Sequence, residues 1–380
     1  MKCKKCNSSS ALIILRKKDL YCRECFLANV THKFRSSIGK NKILGKADNV
    51  LICLSGKEGS TVLLDLINNA LSLDNHKKLR ITPIFLHLCE NYETIKNVIE
   101  QCQKYNYDLY SPHISEYVQS KSHIPIVNSL PIVNNELIEE YNNMQNSMLP
   151  TVKDDFITNI KRTLYIRYAK LLNCKYIFTG ETTTTLATKL LVNLAIGRGS
   201  QVQSDVGFLD SRDMEIKIIR PMKDISEEEL KLYINSKNLK VNDKQTSKEN
   251  EHTSLQTVIS TFVSNLQENF PSTISTICKT ADKIGLQDEC DNERHNTCVI
   301  CQSILKPDEK AISALDATSI SKIVSLRKHT DSGIDVDMEK NVINSTIFPY
   351  IHNRLCYACS RNYAEIKQSK IPSYIIETQK

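Results

Sequence analysis

Residues 49–71 read Asn-Val-Leu-Ile-Cys-Leu-Ser-Gly-Lys-Glu-Gly-Ser-Thr-Val-Leu-Leu-Asp-Leu-Ile-Asn-Asn-Ala-Leu. Asn49 to Leu54 is a short apolar run, rich in branched side chains and closed by a Ser-Gly turn, as a buried strand is. From Thr61 onward the apolar residues fall at 62, 63, 66, 67, 70 and 71, which is helical spacing. Strand, small-residue loop and helix open a parallel sheet, and such sheets bind ligands beyond the carboxyl ends of their strands. The loop Ser55-Gly-Lys-Glu-Gly-Ser60 is therefore placed to aim backbone N–H groups at an anion, and its length suits pyrophosphate. It is not a Walker A loop, because G-x-x-x-x-G-K-[ST] is absent.

The same alternation continues outward. Strands are expected at Arg80–Leu88, with Pro83 marking a late start or a distortion, at Tyr176–Thr179 and at Glu215–Ile219. Helices are expected at Tyr92–Tyr105, Asp155–Leu172 and Thr185–Ala195. This predicts an α/β fold, a parallel sheet covered on both faces, over residues 41–240. Residues 242–254 contain no large apolar residue and read as a linker. Leu255 to Gly285 reads as helical, with a break at Asn269-Phe-Pro-Ser272 where Ser272 can cap the second helix.

Eight of the fourteen cysteines form four C-x-x-C pairs: Cys3/Cys6, Cys22/Cys25, Cys298/Cys301 and Cys356/Cys359. Two intervening residues let both thiolates reach one tetrahedral ion from a tight turn, and two such pairs complete a Cys₄ shell, the structural zinc arrangement. The first two pairs, fifteen residues apart, have zinc-ribbon spacing and define a module at residues 1–40. The other two predict a second zinc module at 298–360, following a helical region at 255–297. The 54 residues between its pairs include a long polar insertion from Lys306 to Asp337. Cys53 and Cys174 lie in or beside apolar runs and read as buried small hydrophobes. No metal-triad spacing occurs among the nine histidines; His87 and His113 read as sheet-end residues, and His295 as an additional candidate ligand near Cys298.

Of the chain's net charge of +7, residues 1–50 carry +9, from twelve Lys/Arg against three Asp/Glu, and the rest sums to −2. A polyanion such as RNA at that end, with Lys40, Lys42 and Lys46 as contacts, and a merely solvated basic surface both fit. With 380 residues, 41% of them hydrophobic and 24% charged, the chain falls in the globular class, with room for two or three units. No apolar run approaches the ~18 residues of a membrane span, so no membrane association is expected. Met1-Lys-Cys-Lys-Lys-Cys6 opens on a cysteine pair rather than an apolar stretch, so no secretory signal is expected.

The loop resembles the PP-loop of the ATP pyrophosphatase superfamily, S-G-G-x-D-S, through Ser55, Gly56 and Ser60; Lys57 replaces the second Gly and Gly59 the Asp. Gly180-Glu-Thr-Thr-Thr-Thr-Leu-Ala187 resembles the later G-H-N-x-x-D-x-A stretch of PP-loop tRNA-thiolating enzymes. It keeps Gly180 and Ala187, but has Glu181 for His and threonines for the acidic pair. The cysteines that active members carry have no counterpart in Thr151–Lys170 or Ser200–Arg220.

These departures, together with several ordered blocks, resemble the cytoplasmic tRNA 2-thiolation protein 2 family over nearly the whole chain. The blocks are the N-terminal C-x-x-C followed by Cys22-Arg-Glu-Cys-Phe26, Leu190-Leu-Val-Asn-Leu-Ala-Ile-Gly-Arg-Gly199 and Phe208-Leu-Asp-Ser-Arg212. Further on come Ile219-Arg-Pro-Met-Lys-Asp224 with Glu227-Glu-Glu-Leu-Lys-Leu-Tyr233, Asn269-Phe-Pro-Ser-Thr-Ile-Ser-Thr276 and Cys356-Tyr-Ala-Cys359.

The resemblance implies a cytoplasmic protein that serves 2-thiolation of the wobble uridine, position 34, in tRNA Lys, Glu and Gln. It implies a heterodimer with the active thiolase paralogue, which takes sulfur from a thiocarboxylated ubiquitin-like carrier, a carrier that also links the family to protein urmylation. The chemistry it implies is adenylation of the uridine C2 oxygen, then attack of sulfur on that carbon with AMP leaving. On this reading the chain supplies no catalytic residue, and ATP and magnesium enter only through the partner. Ser55, Gly56, Ser60 and Gly180 are remnants of a nucleotide site, while Arg198 and Arg212 fit either tRNA phosphate or an ion pair within the fold. The alternatives are an active ATP-dependent tRNA adenylating sulfurtransferase in which Lys57 contacts phosphate, and a stand-alone zinc-ribbon RNA-binding adaptor.

Overall fold

The computed structural model describes residues 2–7, 10–16, 18–45, 47–72, 78–241, 254–284, 297–305, 318, 354–362 and 372. Ile13–Leu15 (β1) and Asp19–Tyr21 (β2) pair as an antiparallel hairpin, and Arg23–Asn41 (α1) follows. Asp48–Cys53 (β3) then enters the main sheet and leads through the Ser-Gly loop into Glu58–Leu71 (α2). Next come Ile81–Leu86 (β4), Tyr92–Gln103 (α3) and the two-residue strand Leu109–Tyr110 (β5). Asn135–Asn146 (α4) and Pro150–Leu171 (α5) precede Tyr176–Thr179 (β6), Thr183–Ala195 (α6) and Val202–Val206 (α7). Leu209–Asp210 (β7), Lys217–Ile219 (β8) and Glu227–Lys237 (α8) complete this part, and Leu255–Asn269 (α9), Pro271–Ile284 (α10) and Tyr357–Asn362 (α11) follow.

The six strands lie in the order β5-β4-β3-β6-β8-β7, all parallel except the antiparallel edge pair β7–β8. The chain builds outward from β3 to β5 and then returns to the other side of β3, so strand order reverses between β3 and β6. A reversal leaves the two following helices on opposite faces and opens a crevice at the carboxyl ends of β3 and β6. The Ser55–Ser60 loop and Gly180 therefore meet at one place.

Successive side chains alternate between faces. Leu51, Cys53, Ile177 and Ile218 face Phe156, Ile160 and Leu164 of α5. Val50, Ile52, Phe178 and Ile219 face Leu63 and Ile67 of α2, Tyr233 of α8 and Phe26, Val30 and Phe34 of α1. A third apolar group joins α6 and α7 to α9 and α10 through Leu186, Val206, Val263 and Ile274. Cys53 and Cys174 are buried, in accord with the sequence reading.

Pro83 lies inside β4 rather than before it, paired with Val50. It is tolerated because β5 reaches only Phe85 and Leu86, so among the described residues no strand flanks Pro83 on the side away from β3. The break between α9 and α10 occurs where expected, but α10 begins at Pro271 itself. Proline in the first helical turn lacks only a donor that would have had no intrahelical partner. The hairpin β1–β2, α1, α4 and the edge strand β7 are elements the periodicity did not reveal. The 242–253 stretch, residues 285–296, including His295, the polar insertion at 306–317 and 319–337, and Lys46 lie outside the described residues.

Candidate functional site

Both cysteine quartets assemble. Cys3, Cys6, Cys22 and Cys25 bring their sulfurs within 4.8 Å of one another, and so do Cys298, Cys301, Cys356 and Cys359. Each quartet joins a knuckle to a helix N-terminus. In the knuckles, Asn7 N–H donates to Cys3 O at 2.9 Å and Gln302 N–H to Cys298 O at 2.8 Å. Asn7 and Gln302 both adopt φ near +57°, a left-handed turn that aims the two preceding thiols inward. In the helices, Cys22 and Cys356 accept from the backbone N–H of Cys25 and Cys359, at 3.4 and 3.5 Å. Backbone donors stabilise thiolate: the Cys6 and Cys22 amides lower the Cys3 thiol from its ordinary value, that of Cys6 most.

Zinc–thiolate bonds of ~2.3 Å in a tetrahedron require sulfurs ~3.8 Å apart. The separations Cys6–Cys22, 4.0 Å, and Cys301–Cys356, 3.6 Å, match that edge. The donor set therefore suits a single metal ion at each place and is compatible with zinc. Their surroundings differ. Cys6 is exposed and Cys25 half-buried, whereas all four C-terminal cysteines are buried and share the α5-facing core with Ile300, Leu355 and Ala358.

Arg198 sits beside the second quartet. It is 5% exposed, and its guanidinium forks onto Asp155 at 2.8 and 3.0 Å while Nη2 donates to Cys359 Sγ at 3.7 Å. Arg212 is likewise internal, paired at 2.7 Å with both Asp205 and Asp210 and donating to Cys301 O at 3.4 Å. Arg162 joins the same network through Asp210 and Gln302. Of the two readings of Arg198 and Arg212, tRNA phosphate contact or an ion pair within the fold, the structure has the ion pairs. Arg198 neutralises the buried Asp155, 43 positions away in the chain, and Arg212 the buried Asp205 and Asp210, close to it in sequence.

The loop at the sheet reversal is closed on itself. Gly56, at φ +75°, makes the turn; Ser55 is exposed and Ser60 buried. Ser55 Oγ donates to Ser60 Oγ at 3.3 Å, and Ser60 Oγ donates to Lys57 O at 2.8 Å. Lys57 is exposed at the helix N-cap and makes no side-chain cap. Gly59 and Gly180 touch through their backbones. A Cβ on Gly59 would stand 2.4 Å from Gly180 O, and one on Gly180 would stand 2.8 Å from Gly59 C and O. Position 59 is where the PP-loop pattern has its Asp, so no side chain fits there while the two loops stay in contact. Gly59→Asp is expected to lower thermal stability, since forcing atoms into packed backbone costs roughly 3 kcal/mol. That is a fall in Tm of roughly 5–10 °C for a unit of this size, read by calorimetry.

Glu181 does not stand as a free negative charge. Arg220 Nε donates to it at 2.7 Å and Lys189 Nζ lies 3.1 Å away. Burial raises its carboxyl, but Lys189 and Arg220 outweigh that and hold it at about 2. The two cations neutralise the repulsion toward phosphate that Glu181 alone would exert. His87 closes the neighbouring strand end: Nδ1 donates to Leu54 O at 2.8 Å, and burial lowers its pKa so that it stays neutral.

Lys40 and Lys42 are exposed at the end of α1. The next residue, Ile43, accepts from Tyr176 Oη at 2.9 Å, and Ala47 N–H donates to Arg80 O. Tyr176 and Arg80 mark the amino ends of β6 and β4, so these lysines lie at the edge opposite the loop. The length of β3, roughly 20 Å at ~3.3 Å per residue, separates the two.

A family model described as cytoplasmic tRNA 2-thiolation protein 2 matches residues 254–361. The Drosophila melanogaster protein of that name is 30% identical over 384 residues, covering 97% of this chain and 92% of its own. The Aedes aegypti protein of that name is 30% identical, covering 86% and 80%. Among solved structures, the U34-tRNA thiolase NcsA from Methanococcus maripaludis, described with its [4Fe-4S] cluster, is similar at TM-score 0.59 and 21% identity. That match covers 80% of this chain and 97% of the thiolase, and it shows a shared fold.

Proposed function

The chain belongs to the cytoplasmic tRNA 2-thiolation protein 2 family, and from that premise we propose that it is a non-catalytic subunit required for 2-thiolation of the wobble uridine of tRNA. Membership places it in tRNA 2-thiolation, and the fold it shares with a U34-tRNA thiolase fits the role of a paralogue working beside an active one. Position 34 of tRNA Lys, Glu and Gln, the heterodimer, the thiocarboxylated ubiquitin-like carrier and the cytoplasmic location belong to this reading. So does zinc as the metal of both quartets.

The observation that carries the non-catalytic role is the backbone contact between Gly59 and Gly180. Adenylation needs a cradle whose N–H groups reach the phosphates and a carboxylate to orient magnesium or substrate. Here the place of that carboxylate is filled by another loop, and the Ser55 and Ser60 hydroxyls are engaged with the loop itself. The subunit's contribution is then shape and charge: a rigid sheet, two metal-pinned modules and a basic edge. Calorimetric titration of the isolated chain with Mg-ATP tests this. No binding at millimolar nucleotide is expected; saturable binding lost on Lys57→Ala would favour the active sulfurtransferase.

Replacing Lys40 and Lys42 together by Glu is expected to weaken tRNA binding by the assembled complex. The slope of log affinity against log salt should fall by roughly one to two, since each phosphate contact contributes about 0.9. An unchanged slope would leave that edge merely solvated. Because these lysines are remote from the loop, thermal stability should not change.

A further inference from the structure

We propose that Arg198, braced by Asp155, is a positioning residue for the C-terminal metal centre: it holds the Cys359 thiolate and fastens that centre to the α/β sheet. The proposal rests on the reading that this quartet binds zinc. Three contacts converge on it. Both terminal nitrogens of Arg198 are fixed by the two oxygens of Asp155, at the start of α5, which leaves the guanidinium plane no freedom to turn. From that fixed plane Nη2 donates to Cys359 Sγ at 3.7 Å. The preceding residue, Gly197, has φ +82°, and a Cβ there would stand 2.8 Å from the ring of Tyr357, between Cys356 and Cys359. One loop therefore grips the metal-binding helix α11 both by its thiolate and by its aromatic ring.

The chemistry favours this role. Four thiolates on one divalent ion leave a net charge of −2 in a buried place, and N–H donors to the sulfurs spread that charge. The Arg198–Asp155 pair alone is neutral, so it could have been replaced by apolar packing without loss. The donor to sulfur is what such packing could not supply. Lysine would keep the charge but not the planar fork that serves carboxylate and thiolate together. The N-terminal quartet, built on α1 and not on α11, serves as the internal reference.

The test is zinc release from the full chain into a chromogenic chelator. Wild-type protein is expected to hold two equivalents, the C-terminal one assigned as that missing from Cys356→Ser. In Arg198→Lys and in Asp155→Asn, that equivalent should leave roughly 10–100-fold faster, the usual range for loss of an outer-shell partner. The other equivalent should leave at its wild-type rate. Cobalt-substituted Arg198→Lys should show a displaced thiolate-to-metal charge-transfer band, which a role in packing alone would not produce. Unchanged release of both equivalents in both variants, with unchanged circular dichroism, overturns the proposal. Equal acceleration of both also overturns it, as general loosening. Wild-type protein lacking the C-terminal equivalent overturns the zinc reading itself, and is seen before any variant is made.

Discussion

Cells lacking this chain are expected to lose wobble 2-thiouridine from tRNA, and a Ser60→Ala copy is expected to restore nearly all of it. The first half follows from membership in the tRNA 2-thiolation family together with a fold that matches a thiolase over 80% of the chain. The second half follows from what Ser60 does. Its hydroxyl donates to Lys57 O and accepts from Ser55, so it ties the loop to the first turn of α2. Removing it should cost about 1 kcal/mol, as loss of a helix-terminal hydrogen bond does, and leave the fold intact. In a working phosphate cradle the same change would slow adenylation by orders of magnitude. Nucleoside mass spectrometry on complemented null cells reads both halves. Loss of thiolation in Ser60→Ala, with protein level and partner binding normal, would make the loop a nucleotide site and the chain an enzyme.

The double replacement Cys298→Ser, Cys301→Ser should be the most damaging change of similar size. Thiolate shells of this kind contribute up to ~10–16 kcal/mol in isolated zinc peptides, against a typical domain stability of ~5–15 kcal/mol. Here all four sulfurs are buried in the core that also holds Phe156, Ile160 and Leu164 of α5. Without metal, Arg198 and Arg212 would lose their contacts with Cys359 and the Cys301 carbonyl. Hydrogen exchange should therefore show loss of protection at residues 297–305 and 354–362 and along α5, with one zinc missing. Cys3→Ser, Cys6→Ser should do less. That module is also held by Phe26, Val30 and Phe34 in the opposite core and by the ion pair of Lys33 with Glu229, at 2.6 Å. Equal effects of the two double variants would contradict this ranking.

The parts legible in the sequence are those that neighbours along the chain decide. A strand such as Asn49–Leu54 and a helix such as Thr61–Leu71 declare themselves because side-chain period is a local property of the backbone. A C-x-x-C knuckle is equally local: its turn is closed by a bond from Asn7 back to Cys3, or from Gln302 back to Cys298. That is why the eight ligand candidates could be named from spacing, even across 54 intervening residues. The opening unit also showed where a ligand crevice would lie, since a strand followed by a small-residue loop and a helix places that loop at the carboxyl edge.

What only the tertiary structure decided depends on residues far apart in sequence. Gly59 read as the loss of a carboxylate; it is also the surface against which Gly180 rests, 121 positions later. Arg198 fitted a phosphate contact and an internal ion pair equally in sequence, and is a buried partner of Asp155 and Cys359, 43 and 161 positions away. Glu181 stands where the resembled pattern has His, and its charge is balanced by Arg220 and Lys189. A side chain's type shows which charge it carries, but its partner is set by which elements the fold packs together. Burial then determines whether that charge faces solvent, a ligand or another residue of the same chain.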